Sequence, residues 1–340
     1  MKKLFAWGMA TLILLAAVCT GGGYWAWREM QSTLDRRIYL HESSELFEIE
    51  RGSSLADVAR RLYALGWLQN SLHLRLEARR LKIGSRLKAG LYEVYDGETP
   101  RRLLEKFVRG NVKTFQITFI EGSTFFEMQR VLAGKRYLRR TLTGKTDHQI
   151  MAGIAPAIEH PEGQFFPSTY HYSNRDLDTD ILRRAHERMT ELLAFHWQSR
   201  APDLPYDSPD DALIMASIVE KETAREDERG RIAGVFVRRL RRGMKLQTDP
   251  SVIYGMGNDF DGNLRRVDLE TDTPYNTYTR RGLPPTPIAM PGEGSLYAAL
   301  HPVDDGFLYF VGKGDGSHHF SATLKEHNAA VRRYQLSGKR

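Results

Sequence analysis

The 340-residue sequence predicts an α+β protein with an N-terminal transmembrane helix, a small α+β subdomain and a larger α+β domain. Three observations predict it. Leu4 to Trp27 is a run of 24 residues without a charge. A short β-type run, a glycine turn ending in Ser or Thr, and an amphipathic helix then recur three times. Further on, a long amphipathic helix is followed by a short one that is apolar nearly all round, and only a sizeable core can bury such a helix. Hydrophobic residues at 41% and charged residues at 27% exclude wholesale disorder. Forty-nine Lys and Arg against 42 Asp and Glu give a net charge of +7, which suits nucleic acid, an anionic membrane surface or an anionic polymer without choosing among them. The single cysteine, Cys19, excludes an intramolecular disulfide and a cysteine-based zinc site.

Taken in order, residues 1–27 read as a cytoplasmic N-terminus and an uncleaved anchor. As a helix, the uncharged run spans ~36 Å and exceeds the ~30 Å hydrocarbon core. Trp7 at one end and Tyr24, Trp25 and Trp27 at the other stand where interfacial anchors belong, and Lys2 and Lys3 favour a cytoplasmic N-terminus. Ala16-Ala17-Val18-Cys19 lacks the leucine and small residue of a lipoprotein cleavage site. Residues 28–44 are polar and read as an exposed stalk.

Residues 45–115 form the small subdomain. Phe47 and Ile49 alternate as in a half-buried strand, Ser54 stands at an N-cap, and Leu55, Val58, Ala59 and Leu62 make a helical stripe. Leu91 to Thr99 repeats the pattern before the stripe Leu103, Leu104, Phe107 and Val108, and Ile117 to Thr124 repeats it again at the start of the larger domain, residues 116–340. There Phe125–Leu132 and Asp178–Trp197 read as helices. The segment between them, Glu162-Gly163-Gln164-Phe165-Phe166-Pro167-Ser168-Thr169-Tyr170, carries so many rings that it either packs back on the core or lines a cleft.

Ser208-Pro209-Asp210-Asp211 is a strong helix start, and the apolar helix Ala212–Val219 runs into Glu220-Lys221-Glu222-Thr223. A carboxyl group at the C-terminal end of a core helix loses water and meets the negative end of the dipole. Both favour the protonated form that a general acid needs. Glu220 and Glu222 point about 200° apart by the ~100° per residue rule, and periodicity leaves open which of them faces a cleft or simply enters solvent. The next helix, Glu226–Arg242, ends in Arg238, Arg239, Arg241 and Arg242, read as dipole complement and solvated face. Met244–Gly257, Asp272–Tyr278 and Gly282–Ile288 read as loops rich in hydroxyls, amides and rings, the composition of a carbohydrate or peptide groove. Gly312–Gly316 reads as a hairpin, with His318 and His319 beside it as a weak metal pair. No Gly-x-Ser-x-Gly or His-Glu-x-x-His occurs, Gly144-Lys145-Thr146 lacks the earlier glycine of a phosphate loop, and Ser85-x-x-Lys88 lacks its partner motifs.

Two resemblances carry the reading further. Phe47 to Leu62 is similar to the start of a LysM module, a small βααβ unit that binds cell-wall glycan or chitin, with Ser53 where that family has Asp. Ala216–Thr223, Leu246–Gly255, Pro274–Tyr278, Gly282–Pro285 and Lys313–Gly316, in this order, resemble the endolytic murein transglycosylases of the YceG-like family, over essentially the whole chain. The resemblance implies a bacterial inner-membrane protein, single-pass, with an extracytoplasmic catalytic domain, that cuts the MurNAc–GlcNAc bond within peptidoglycan strands to leave 1,6-anhydroMurNAc ends. It implies termination or trimming of nascent glycan beside peptidoglycan synthases, and no cofactor, metal or nucleic acid. The family's catalytic acid aligns with Glu220, and Thr286 departs from the small residue usual there. On this reading one carboxyl group suffices, first as acid and then as base toward the sugar's own C6 hydroxyl, whereas an inverting hydrolase needs a second carboxylate, for which Glu162, Glu222 and Asp249 are the candidates. Gln247, Thr248, Asp249, Tyr254, Tyr275, Asn276 and Tyr278 are expected to line the groove, with Glu162 supporting it. A membrane-tethered glycan-binding scaffold and a peptidoglycan hydrolase are the alternatives.

Overall fold

The computed structural model describes residues 2–336. Met1 and residues 337–340 lie outside the described residues, as do the side chains of residues 2–6, among them the Lys2 and Lys3 charges used for orientation. The chain divides into two compact units. One holds the residues up to Phe115 with Ser173–Arg175, and the other holds Gln116–Tyr172 with the residues from Asp176 onward.

The first unit begins with α1 (Lys2–Leu34), whose portion Trp7–Leu34 contains an 18-residue window of mean hydropathy 1.5 and is long and apolar enough to cross a membrane. The segment expected to be an exposed stalk is instead partly helix and core. The helix continues through Leu34, and Met30, Leu34 and Ile38 are buried in the unit's core with Phe47, Leu62, Tyr92 and Phe107. Polar residues between these positions made the segment look solvated, although Met30 and Leu34 share one helical face and Ile38 follows just past the helix end. Strand β1 (Ser44–Ile49) leads through α2 (Leu55–Ala64) and α3 (Ser71–Arg80) to β2 (Gly90–Tyr95), which pairs antiparallel with β1, Phe47 opposite Tyr92. Helix α4 (Pro100–Arg109) closes the unit. The expected caps form: Ser54 accepts from the Asp57 N–H and Thr99 from the Arg102 N–H.

The second unit takes up the chain within β3 (Phe115–Thr118), which pairs with β4 (Thr169–Tyr172), and between them lie α5 (Phe125–Ala133), capped by Thr124, and α6 (Asp147–Ile154). The long α7 (Asp178–Gln198) precedes α8 (Pro209–Glu222), every residue of which from Ala212 to Val219 is buried. A helix without a polar face needs neighbours on all sides. It has them in α7, α9 (Glu226–Arg241), α10 (Asp249–Met256) and, after the short α11 (Arg266–Glu270), α12 (Glu293–Leu300). The hairpin β5 (Tyr309–Gly312) and β6 (His318–Ser321) turns at the expected glycines, with Gly312 opposite His318, and α13 (Leu324–Val331) comes after it.

Two sequence expectations change. Part of the 244–257 segment is helix α10 rather than loop, because Thr248 at the N-cap and Asp249-Pro250 in the first turn start one. Two of the four arginines ending α9 are buried rather than solvated. Arg238 donates to the Val303 and Phe307 carbonyls and pairs with Asp304 and Asp305, while Arg239 donates to the Leu308 and Leu246 carbonyls. Each guanidinium fork thus pins a loop to α9.

Candidate active site

The C-terminal turn of α8 sends its two glutamates to different places. Glu220 accepts from the Gly292 N–H at 2.9 Å and faces Arg229 of α9 at 3.8 Å. Glu121 approaches the same Arg229 nitrogen at 3.6 Å, and its carboxylate lies against the Cα of Gly292, in the space a Cβ would take. Ser217, one turn back on α8, supports the arrangement by accepting from the Ile288 N–H. Burial and the neighbouring Glu220 push the Glu121 carboxyl up. Neither Glu121 nor Arg229 stands in a pattern that marks it in the sequence, and sequence reasoning missed both.

Glu222 faces an open groove of about 520 Å³ with Arg239, Gln247, Asp249, Tyr278 and Tyr309. Burial pushes its carboxyl up to about 7, against the pull of the Thr248 hydroxyl, which donates to Oε1 at 2.5 Å. Thr248 itself is buried, and its N–H donates to Thr277 Oγ1 at 3.0 Å. Gln247, beside it, adopts a left-handed backbone with φ 53°, a strained conformation of the kind that gathers at functional sites. The Tyr278 hydroxyl donates to Asp249 Oδ1.

A third cluster surrounds Glu162. The aromatic segment packs back on the core, with Phe165 fully buried and stacked on Phe125 at 5.3 Å. Within it Glu162 is buried, accepts from the Phe125 N–H at 3.1 Å and from the Tyr254 hydroxyl at 3.1 Å, and is pushed by burial up to about 7. The Tyr254 ring stands edge-on to Tyr275 at 5.0 Å, and the Tyr275 hydroxyl lies 2.8 Å from Thr286 Oγ1. Thr286 therefore joins this wall.

The residues expected to line one groove thus divide. Gln247, Asp249 and Tyr278 gather with Glu222, and Thr248 acts on that carboxyl from beneath. Tyr254 and Tyr275 go to Glu162. Asn276 is corrected: it is fully buried, its amide donates to the Asp268, Leu269 and Thr271 carbonyls, and its oxygen accepts from the Tyr278 and Thr279 N–H groups, so it braces the loop and offers a ligand nothing. His318 is taken by Glu228, 2.6 Å from its Nδ1.

The model of the YceG-like family matches residues 47–333. The chain belongs to the YceG-like family. It is 34% identical over 270 residues to an endolytic murein transglycosylase of Bacillus subtilis, covering 74% of each chain. An endolytic murein transglycosylase of Streptococcus pneumoniae is 23% identical over 359 residues, and there the match covers 94% of this chain but 64% of the relative. The crystal structure of a YceG-like protein from Listeria monocytogenes superposes with a TM-score of 0.55 at 30% identity, covering 84% of this chain and 98% of that one. All three clusters lie within the stretch matched by the YceG-like model.

Proposed function

We propose that this chain is a membrane-anchored endolytic murein transglycosylase, and that Glu222 is its acid and base. The observation that carries the proposal is a carboxyl group held near pH 7 at the end of a core helix, opening into a groove with Gln247, Asp249 and Tyr278. The names of the relatives supply the substrate class. Thr248 holds Oε1 and leaves Oε2 for the substrate. The protonated carboxyl gives its proton to the oxygen linking MurNAc to GlcNAc, the MurNAc C1 becomes oxocarbenium-like, and the resulting carboxylate takes the proton of that sugar's C6 hydroxyl as O6 closes on C1. The product is a 1,6-anhydroMurNAc end, and the enzyme is returned to its starting state.

The resemblance placed this role on Glu220, and one observation favours that second reading: the Gly292 amide and Arg229 hold Glu220 in a built cradle. The two readings part on substitution. With purified peptidoglycan and product analysis by mass, Glu222→Gln is expected to lose at least 10²-fold in rate, the usual worth of a general acid, and Glu220→Gln less than tenfold. The reverse ranking returns the role to Glu220. Reducing ends instead of anhydro ends would make the enzyme a hydrolase, with Asp249 the carboxylate available to activate water, and binding without cleavage would make it a scaffold.

The same reading takes α1 as a single span of the bacterial inner membrane with the N-terminus cytoplasmic, both units outside, and peptidoglycan synthases as neighbours. The strand–helix–helix–strand order of the first unit supports a LysM-like wall-binding role. Its groove of about 480 Å³, between Leu55, Leu72, Leu76, Arg75 and Arg79, offers apolar faces and cations to a glycan and its acidic substituents.

A further inference from the structure

The groove that holds Glu222 has a wall that the proposed chemistry does not use. Helix α13 contributes His327 to it. The imidazole stacks on Tyr309, ring centroids 5.2 Å apart and 27° from parallel, and Tyr309 carries the Arg239 guanidinium 5.1 Å from its own ring centre. His327 Nδ1 is turned into the protein and has no hydrogen-bond partner there. A buried bare lone pair is tolerated far better than a buried unpaired N–H, and the nearby Arg239 charge favours the lone pair as well. The proton therefore sits on Nε2. Burial and Arg239 also hold the ring below the ordinary histidine range, which favours the neutral form. The result is a fixed, uncharged N–H donor beside a flat aromatic face.

We propose that His327 is a substrate-binding residue that donates from Nε2 to the N-acetyl carbonyl of a glycan sugar in this groove. The amide oxygen is the strongest neutral acceptor such a chain of sugars presents, and a neutral donor selects it without attracting carboxylates indiscriminately. The inference rests on the reading of the groove as a glycan site, and its tests separate the two.

The full-length chain in detergent is assayed on peptidoglycan and on the same material after de-N-acetylation. The parent is expected to lose about tenfold in kcat/KM on the de-acetylated glycan, equivalent to about 1.4 kcal/mol. His327→Ala is expected to lose about tenfold on native glycan, mostly in KM, and nothing further on the de-acetylated one. His327→Gln, whose side-chain NH2 reaches the Nε2 position, is expected to recover part of the loss. Losses from the substitution and from de-acetylation that multiply, or parental kcat/KM in His327→Ala, overturn the proposal. Binding of an N-acetylglucosamine oligomer against a glucosamine oligomer is measured alongside, with the same pattern expected in Kd. That measurement tests His327 even if no cleavage is seen, in which case the catalytic reading fails alone. No preference of the parent for the acetylated oligomer overturns the His327 assignment.

Discussion

Thr248 and Glu222 form the contact on which the pH dependence of the groove turns. Burial raises the carboxyl and the hydroxyl's hydrogen bond lowers it, because an O–H donor favours the ionised form. Thr248→Val removes the opposing effect and keeps the shape. The carboxyl should then rise further, by up to about one unit for a hydrogen bond worth ~1 kcal/mol. A general acid must be protonated to act, so the alkaline limb of the pH–rate profile, near 7 in the parent, is expected to move upward in Thr248→Val. An unmoved limb would mean that Glu222 is not the titrating acid. At this scale the sequence showed both glutamates and their opposite directions on α8. Which one meets the groove depends on Thr248 and Arg239, 26 and 17 residues away from Glu222 in the chain, and no helical period carries that information. Asn276 shows the converse: an amide in a polar loop reads the same whether it faces a sugar or its own backbone.

Among the elements, the N-caps of α2, α4 and α5 were legible because a cap is a local arrangement of four residues. The start of α10 was equally local in Thr248-Asp249-Pro250 and was obscured by the reading of the whole stretch as groove. No local pattern shows that α10 is tied at both ends to carboxyls, the half-buried Glu222 through Thr248 and the buried Glu162 through Tyr254, while Glu162 also receives the first N–H of α5. A carboxyl raised in the folded state binds more protons folded than unfolded between the two pKa values, so its contribution falls as pH rises. For Glu162 the window runs from the unfolded value of about 4.3 to the folded value of about 7, and the loss across it is at most about 4 kcal/mol. Glu162→Gln cannot ionise and should not lose it. Urea unfolding monitored by circular dichroism at pH 5 and pH 8 is expected to show a smaller drop in stability for Glu162→Gln than for the parent. Equal drops would place Glu162 outside the pH response.

For the molecule as a whole, the span was legible as an uncharged run, but the attachment of the span was not. The first unit takes its core partly from the last turns of α1. Leu34 is fully buried, Met30 and Ile38 nearly so, and Arg101 of α4 reaches back to pair with Asp35 and to donate to Gln31 while it also pairs with the buried Glu77. Only Arg28 and Glu29 separate Trp27 from Met30, a rise of ~4.5 Å at 1.5 Å per residue, so the folded unit begins where the uncharged run ends. The consequence concerns where the chain can be cut. A soluble form beginning at Arg28 keeps Met30, Leu34 and Ile38 and should fold. One beginning at Arg36, at the middle of the segment that reads as a stalk, loses two buried apolar side chains worth ~2–5 kcal/mol each and takes Gln31 and Asp35 away from Arg101. Its first unit should be cut by protease throughout residues 45–115 while the second unit, with its own core around α8, resists. Leu34→Ala in the full chain is the milder version, expected to destabilise the first unit by ~3 kcal/mol and to leave cleavage of short soluble glycan fragments unchanged. Equal protease resistance of the two truncated forms would mean that the last turns of α1 contribute nothing to the fold and that the segment is a tether after all.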